Sequence, residues 1–215
     1  MVKFIFVRHG ESKSNEDGRF AGCTDIPLSE LGKKQAEAVC AYLLDTYKID
    51  AIYSSPLSRA YDTIKGVGEA LGLPVQKHDG LKEVNGGQWE GLSIAKVKEK
   101  YGNDYALWLT DIGNAKATGG EDFMTVQKRA LQAIDEFAQK HQGQNVLIGT
   151  HAGVLRCLQC RFQNLPITAM RHFSWVANTS VTEVNYDGEA FYLCKFNFDG
   201  HLLKMKDKIK TKLPF

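Results

Sequence analysis

Near the N-terminus, Phe4-Ile5-Phe6-Val7 runs directly into Arg8-His9-Gly10-Glu11-Ser12. An apolar run rich in aromatic and β-branched residues that halts at a cation, an imidazole and a glycine reads as a buried strand feeding a tight turn. The same arrangement returns twice. Ile49 to Tyr53 is short and apolar and ends at Ser54-Ser55-Pro56-Leu57-Ser58-Arg59, and Asn145 to Gly149 ends at Thr150-His151. The stretches between are helical in character. Ser29 is placed to N-cap a helix reaching about Tyr47. A second helix runs from the Arg59 region to about Leu71 and is closed by Gly72 and Pro74. A third occupies Asp122 to His141, and a fourth begins near Gly153. Strands alternating with helices specify an α/β chain, a three-layer αβα sandwich around a mostly parallel sheet. The carboxyl ends of parallel strands share one edge. Arg8, His9, Arg59 and His151 are therefore expected in one pocket, although the strand order is not readable from this pattern.

The remaining segments fill in around that sheet. Glu11 to Asp25 is polar and glycine-bearing and reads as a loop, and Val75 to His78 as a short third strand. From about residue 80 to 120 the texture changes to loops with helices near Ile94–Tyr101 and Tyr105–Asp111, a small helical lid inserted over the sheet. Thr179 to Tyr186 and Ala190 to Phe198 flank Asp187-Gly188, a hairpin signal. The tail from His201 to Phe215 partly alternates apolar residues with lysines and reads as a solvated edge strand or a segment laid on the body, rather than a membrane or acidic-partner arm. A chain of 215 residues suits a single domain carrying this insertion.

Composition excludes several partners. A net charge of +2 gives no basic surface for nucleic acid. No apolar run is long enough to span a bilayer, and the N-terminus enters a strand without a signal peptide. The five cysteines, an odd number, suit reduced thiols and a cytoplasmic protein. Cys157 and Cys160 form a C-x-x-C without a second pair and read as buried helical residues. A homodimer is compatible with this composition.

Two arginines and two histidines in one pocket form a dianion site, because guanidinium donors match phosphate oxygens. Asn15 can add a neutral donor, and the Ala152 N–H at a helix start another. Cationic neighbours hold His9 neutral and nucleophilic. Glu83, just past the third strand, is the best-placed acid for a leaving oxygen, with Glu90 and Glu121 as rivals; a phosphoryl dianion nearby would raise its pKa. Cys23, in the loop after Asn15, is a candidate substrate contact. Trp89, Trp108 and Trp175 read as packing groups, with Trp89 and Trp108 also able to line the pocket mouth. No cofactor or metal is called for.

Val7-Arg8-His9-Gly10-Glu11-Ser12 with Asn15 resembles the signature of the histidine phosphatase superfamily, the phosphoglycerate-mutase-like enzymes. Four further blocks resemble that family in order: Asp25 with Pro27-Leu28-Ser29, Gly32 and Gln35-Ala36; Ser54 to Ala60 with Thr63; Leu81, Glu83, Gly87 and Trp89-Glu90-Gly91; and Thr150 to Arg156. Ala152 and Thr150 stand where glycine and serine are common, so substrate fit is affected more than chemistry. The resemblance implies that His9 is phosphorylated, that Arg8, Arg59 and His151 bind the transferred group with Asn15, and that Glu83 is the proton donor. It implies a metal-independent phosphomonoester hydrolase acting on a small phosphorylated metabolite. The alternatives are a bisphosphoglycerate-dependent mutase and a non-catalytic phosphate-binding regulator. Mutases of this type have a longer lid with basic residues; the region from Glu90 to Thr118 holds four lysines and no arginine, which favours hydrolysis.

Overall fold

A computed structural model describes residues 1–203. Its strands are β1 (Val2–Arg8), β2 (Ala51–Ser54), β3 (Val75–Lys77), β4 (Asn145–Thr150), β5 (Val181–Tyr186) and β6 (Phe191–Phe198). They form one sheet in the order β3-β2-β4-β1-β5-β6. The first four in that order run parallel, and β5 and β6 are antiparallel additions at one side. The helices are α1 (Lys13–Asp17), α2 (Glu30–Thr46), α3 (Ser58–Leu71), α4 (Ile94–Lys100), α5 (Gly102–Thr110), α6 (Phe123–Lys140) and α7 (Ala152–Phe162).

The alternation of β1 divides the core into two layers. Phe4 and Phe6 pack with Phe123, Ile134 and Phe137 of α6 and with Leu155 and Leu158 of α7. Ile5 and Val7 pack on the other face with Val39 and Leu43 of α2 and with Ile64 and Val67 of α3. All are fully buried, each worth about 1.5–3 kcal/mol relative to exposure. This is the three-layer αβα arrangement expected from the strand–helix alternation.

Register brings the strand ends together. Arg8 of β1 lies opposite Thr150 of β4, and Ser54 of β2 opposite Gly149. The line continues past the strands: the His9 N–H donates to the Thr150 carbonyl at 3.0 Å and the Ser55 N–H to the Gly149 carbonyl at 2.9 Å.

The segment between β3 and α6 carries α4 and α5 and is held by an aromatic cluster. Fully buried Trp89 meets Phe20, Tyr105 and Trp108 edge-on, and its Nε1 donates to Thr118 Oγ1 at 3.2 Å. Phe20 ties this segment to the stretch after His9.

The structure corrects one local expectation. Glu11 to Asp25 is not all loop, because α1 forms within it. The Ser12 Oγ accepts from the Asn15 N–H, Asn15 Oδ1 accepts from the Ser12 N–H, and Gly18 ends the turn at φ 63°. Five residues are too few for a periodicity to show. The fourth helix begins at Ala152, as expected for a start near Gly153, with His151 in the N-cap position. The lysine-rich tail lies, from Lys204 on, outside the described residues. Among the described residues no helix is long and apolar enough to cross a membrane.

Candidate active site

His9 sits just beyond β1, and its backbone is tied on both sides. Its carbonyl accepts from the Asn178 Nδ2 at 3.1 Å and the Thr179 N–H at 3.3 Å, opposite the bond to Thr150. The ring Nδ1 lies 2.7 Å from the Gly10 carbonyl. A carbonyl only accepts, so Nδ1 carries the hydrogen and Nε2 the lone pair. Burial, then Arg59 and Arg8, hold the ring well below the ordinary histidine pKa. His9 is therefore a neutral base and nucleophile with its reactive nitrogen fixed.

His9 borders a cavity of about 210 Å³. Its polar lining includes Arg8, Asn15, Glu83, Ala152 and Arg156; its apolar wall includes Phe20, Ile94, Tyr105, Trp108, Ile112 and Phe123. Arg8 Nη1 donates to the Val176 carbonyl, while its Nε is buried without a partner. Burial pushes this guanidinium down to about 10, which leaves it charged at neutral pH. Asn15 spends its carbonyl oxygen on Ser12, which leaves its NH₂ for the cavity.

Arg59 and His151 are buried close to His9 but do not line this cavity. Arg59 donates to the carbonyls of Thr24 at 2.9 Å and Gly22 at 2.6 Å. The amides of the same loop, Gly22, Cys23 and Thr24, donate to the Glu90 carboxylate. Residues 22–24 are thus strapped between a cation and an anion. The His151 ring centre is 5.2 Å from that of His9. Its Nε2 lies 2.8 Å from Ser55 Oγ, which itself accepts from the Leu57 N–H. The other ring nitrogen, His151 Nδ1, is buried without a hydrogen-bond partner. Burial first, then Arg59 and His9, hold this ring well below the ordinary value as well.

Glu83 is 9% exposed and reaches the cavity. One carboxylate oxygen accepts from the Val84 N–H at 2.9 Å and the other from the Gly153 N–H, at the start of α7, at 3.0 Å. Gly153 is required by this approach, since a Cβ there would lie 2.4 Å from Glu83 Oε1. Behind Glu83, Arg129 of α6 donates to the carbonyls of Gly80, Lys82 and Glu83 and forms two bonds to Glu121. Both rival acids are thereby occupied, Glu90 by loop amides and Glu121 by Arg129.

Some sequence expectations end elsewhere. Cys23 does not line the His9 cavity; it borders a neighbouring polar cavity that shares Glu83. Burial and Glu90 raise its thiol pKa. Trp89 is sealed in the aromatic cluster, whereas Trp108 and Trp175 line the cavity. Cys157 and Cys160 are buried in α7 as expected. Among the described residues no group of three or more His, Cys, Asp or Glu is gathered to hold a metal. Ser55, Arg129 and Arg156 escaped the sequence reading as site residues, although Ser55 and Arg156 lie inside the blocks that carried the resemblance.

This geometry agrees with what the chain resembles. The sequence pattern of the histidine phosphatase superfamily (branch 1) matches residues 4–199. The chain belongs to that superfamily. This histidine phosphatase is 34% identical over 202 residues to phosphoserine phosphatase 1 of Hydrogenobacter thermophilus, covering 94% of this chain and 95% of that one. It is 33% identical over 172 residues to the adenosylcobalamin/alpha-ribazole phosphatase of Escherichia coli, covering 80% and 84%. Among solved structures, Bacillus stearothermophilus YhfR superposes with a TM-score of 0.89 at 29% identity, covering 94% of this chain and all of that one. A mycobacterial glucosyl-3-phosphoglycerate phosphatase superposes at 0.85 with 28% identity, covering 92% and 99%. The chain is a phosphomonoester hydrolase of this fold.

The two depressed histidines give the histidine phosphatase a specific sensitivity to acid. Below pH 6.5 the unfolded chain protonates both imidazoles while the native state keeps them neutral, so stability falls as pH drops through that value. Between pH 6.5 and 5.5 each contributes a loss of about 1 kcal/mol. Urea unfolding at the two pH values is expected to show this combined decline, and His9→Ala to remove about half of it.

Proposed function

We infer that this phosphatase passes the phosphoryl group of a small metabolite to His9 and then to water. The observation that carries this reading is a fixed nucleophile, His9 on the cavity, beside buried polar nitrogens that lack partners, Arg8 Nε and Nδ1 of His151. Buried donors without acceptors are costly, and a phosphoryl group supplies acceptors for them.

In the first step His9 Nε2 forms a bond to phosphorus as the ester P–O bond breaks. Glu83 gives its proton to the departing alkoxide. In the second step Glu83 takes a proton from water, the water oxygen attacks phosphorus, the P–N bond breaks and inorganic phosphate leaves. Arg8, Asn15 and the Ala152 N–H at the start of α7, which line the cavity, hold the equatorial oxygens, and Arg59 and His151 back them from just beneath the lining. The site residues supply every proton and charge these steps need. The phosphatases named among its relatives act, by those names, on phosphoserine, alpha-ribazole phosphate and glucosyl-3-phosphoglycerate, which supports a small phosphomonoester as substrate here. The five unpaired thiols support action in the cytoplasm.

Rapid acid-free quenching of a turnover with radiolabelled substrate tests the route. A phosphoenzyme that is acid-labile and base-stable is expected, with inorganic phosphate as product and no isomerisation of 3-phosphoglycerate. Turnover without such an adduct would overturn it.

A further inference from the structure

Arg156 repeats the physical signature of Arg8. It is 4% exposed and lines the same cavity. Its Nη2 donates to the carbonyls of Met170 at 2.7 Å and Phe173 at 2.9 Å, close along the chain to the Val176 carbonyl that Arg8 holds. Its Nε, like that of Arg8, is buried without a partner. Burial pushes it down to about 10 as well, so it keeps its charge at neutral pH. Among the described residues no ion pair includes it. A buried guanidinium without a counter-ion is a large cost unless an anion arrives to meet it.

The proton and phosphoryl chemistry leaves this cation unused. The cavity lining holds four arginines, Arg8, Arg19, Arg156 and Arg171, against the single carboxylate of Glu83. Arg8 is engaged by the phosphoryl group. Arg19 and Arg171 are exposed at the rim, where water and salt screen them. Arg156 is the buried remainder, stacked 4.2 Å above the ring of Trp175, which also lines the cavity.

Its position on α7 fixes where its ligand lies. Ala152 and Arg156 are four residues apart and both face the cavity. The Arg156 backbone therefore stands just over one turn, about 6 Å, along the helix from the N–H that faces the phosphoryl group. That separation matches a second anionic group a few bonds from the ester oxygen. A single guanidinium, with Nη2 already spent on carbonyls, matches one negative charge rather than the two of a phosphoryl dianion.

We propose that Arg156 is the subsite for a carboxylate on the leaving alcohol, so that the substrate is a small phosphorylated hydroxy acid. The assignment rests on the hydrolytic reading above. It explains how a cavity with a mostly apolar wall selects an anionic leaving group.

Matched substrate pairs test it. O-phosphoserine and O-phosphoethanolamine differ by the carboxylate alone, and the mono- and bisphosphate of propane-1,3-diol place a second phosphate at similar range. Wild-type kcat/KM is expected to favour phosphoserine over phosphoethanolamine by about 10- to 100-fold, the range of a charge-assisted hydrogen bond. Arg156→Gln is expected to collapse that ratio towards one, and Arg156→Lys to restore part of it. The ratio is read on one sample, so a partly folded variant does not distort it. If Arg156→Gln does not fold, the wild-type ratio decides. A wild-type ratio near one, an equal loss on both substrates, or a preference confined to the bisphosphate overturns the carboxylate subsite. Failure to hydrolyse either member of the pairs would instead count against the hydrolytic reading itself.

Discussion

Replacing His9 with alanine is expected to lower kcat/KM by about 10⁴-fold or more and to abolish the phosphoenzyme. The imidazole is the neutral nucleophile on the cavity, with its Nε2 lone pair beside the phosphate donors. Glu83 faces the same space, but both its oxygens accept backbone N–H bonds. The substitution leaves Arg8, Arg59, His151 and Asn15 in place. Inorganic phosphate should therefore still bind, within about tenfold of wild type, because most of the charge that attracts it is retained. Calorimetric phosphate binding together with single-turnover kinetics checks both halves. Hydrolysis at the wild-type rate, with or without phosphate binding, would remove His9 from the chemistry.

Glu83→Gln should separate the two proton transfers. With an alkyl phosphate the leaving oxygen needs its proton, and loss of the acid should cost about 10²–10⁴ in turnover. With 4-nitrophenyl phosphate the leaving group departs without help, so the first step should be nearly spared. Water then goes unactivated, the phosphoenzyme should accumulate, and a burst of nitrophenolate should precede slow turnover. Equal losses on the two substrates would show that Glu83 acts otherwise than as the acid. The glutamine side chain can answer only one of the two N–H donors at Val84 and Gly153, so some stability loss accompanies the change, and the comparison between substrates is the informative quantity. Arg129 supports the same carboxyl from behind by gathering three carbonyls of residues 80–83, which sets the entry of Glu83 into the cavity.

The core of this architecture is readable because its signals are local. Phe4 to Val7 announces a strand, Ser29 a cap and Gly72 a stop, each through chemistry within a few residues. The sheet edge follows from the strand–helix alternation, and with it the meeting of Arg8, His9 and His151. The order of the strands does not follow, because the pairing of β1 with β4 joins segments about 140 residues apart through hydrogen bonds that carry no sequence mark. Most of the apolar wall was illegible for a similar reason. Trp108, in the lid, is legible as a residue able to line the mouth, whereas Phe20 and Tyr105 carry no such signal and gain a role only through their shared border with His9. Cys23 was drawn towards the substrate by its nearness to Asn15, but the strap between Arg59 and Glu90 sets its loop against the neighbouring polar cavity instead. Ser55 was hidden because a serine in a Ser-Ser-Pro turn has an adequate local purpose, and its bond to His151 crosses 96 positions.

The position of β1 has a consequence for how this catalyst can change over time. The strand that delivers His9 is paired along both edges, with β4 on one side and β5 on the other, so its amides are expected among the slowest to exchange. The wall that faces the leaving group comes instead from connections outside the sheet, around Phe20, α4, α5 and the stretch holding Trp175. Substitutions there can alter which alcohol is accepted while leaving the hydrogen-bonded pairing of the nucleophile's strand untouched. The strand that carries the nucleophile and most of the wall are thus separate parts of the chain, and a drifting wall can explore new metabolites while the phosphoryl chemistry stays constant.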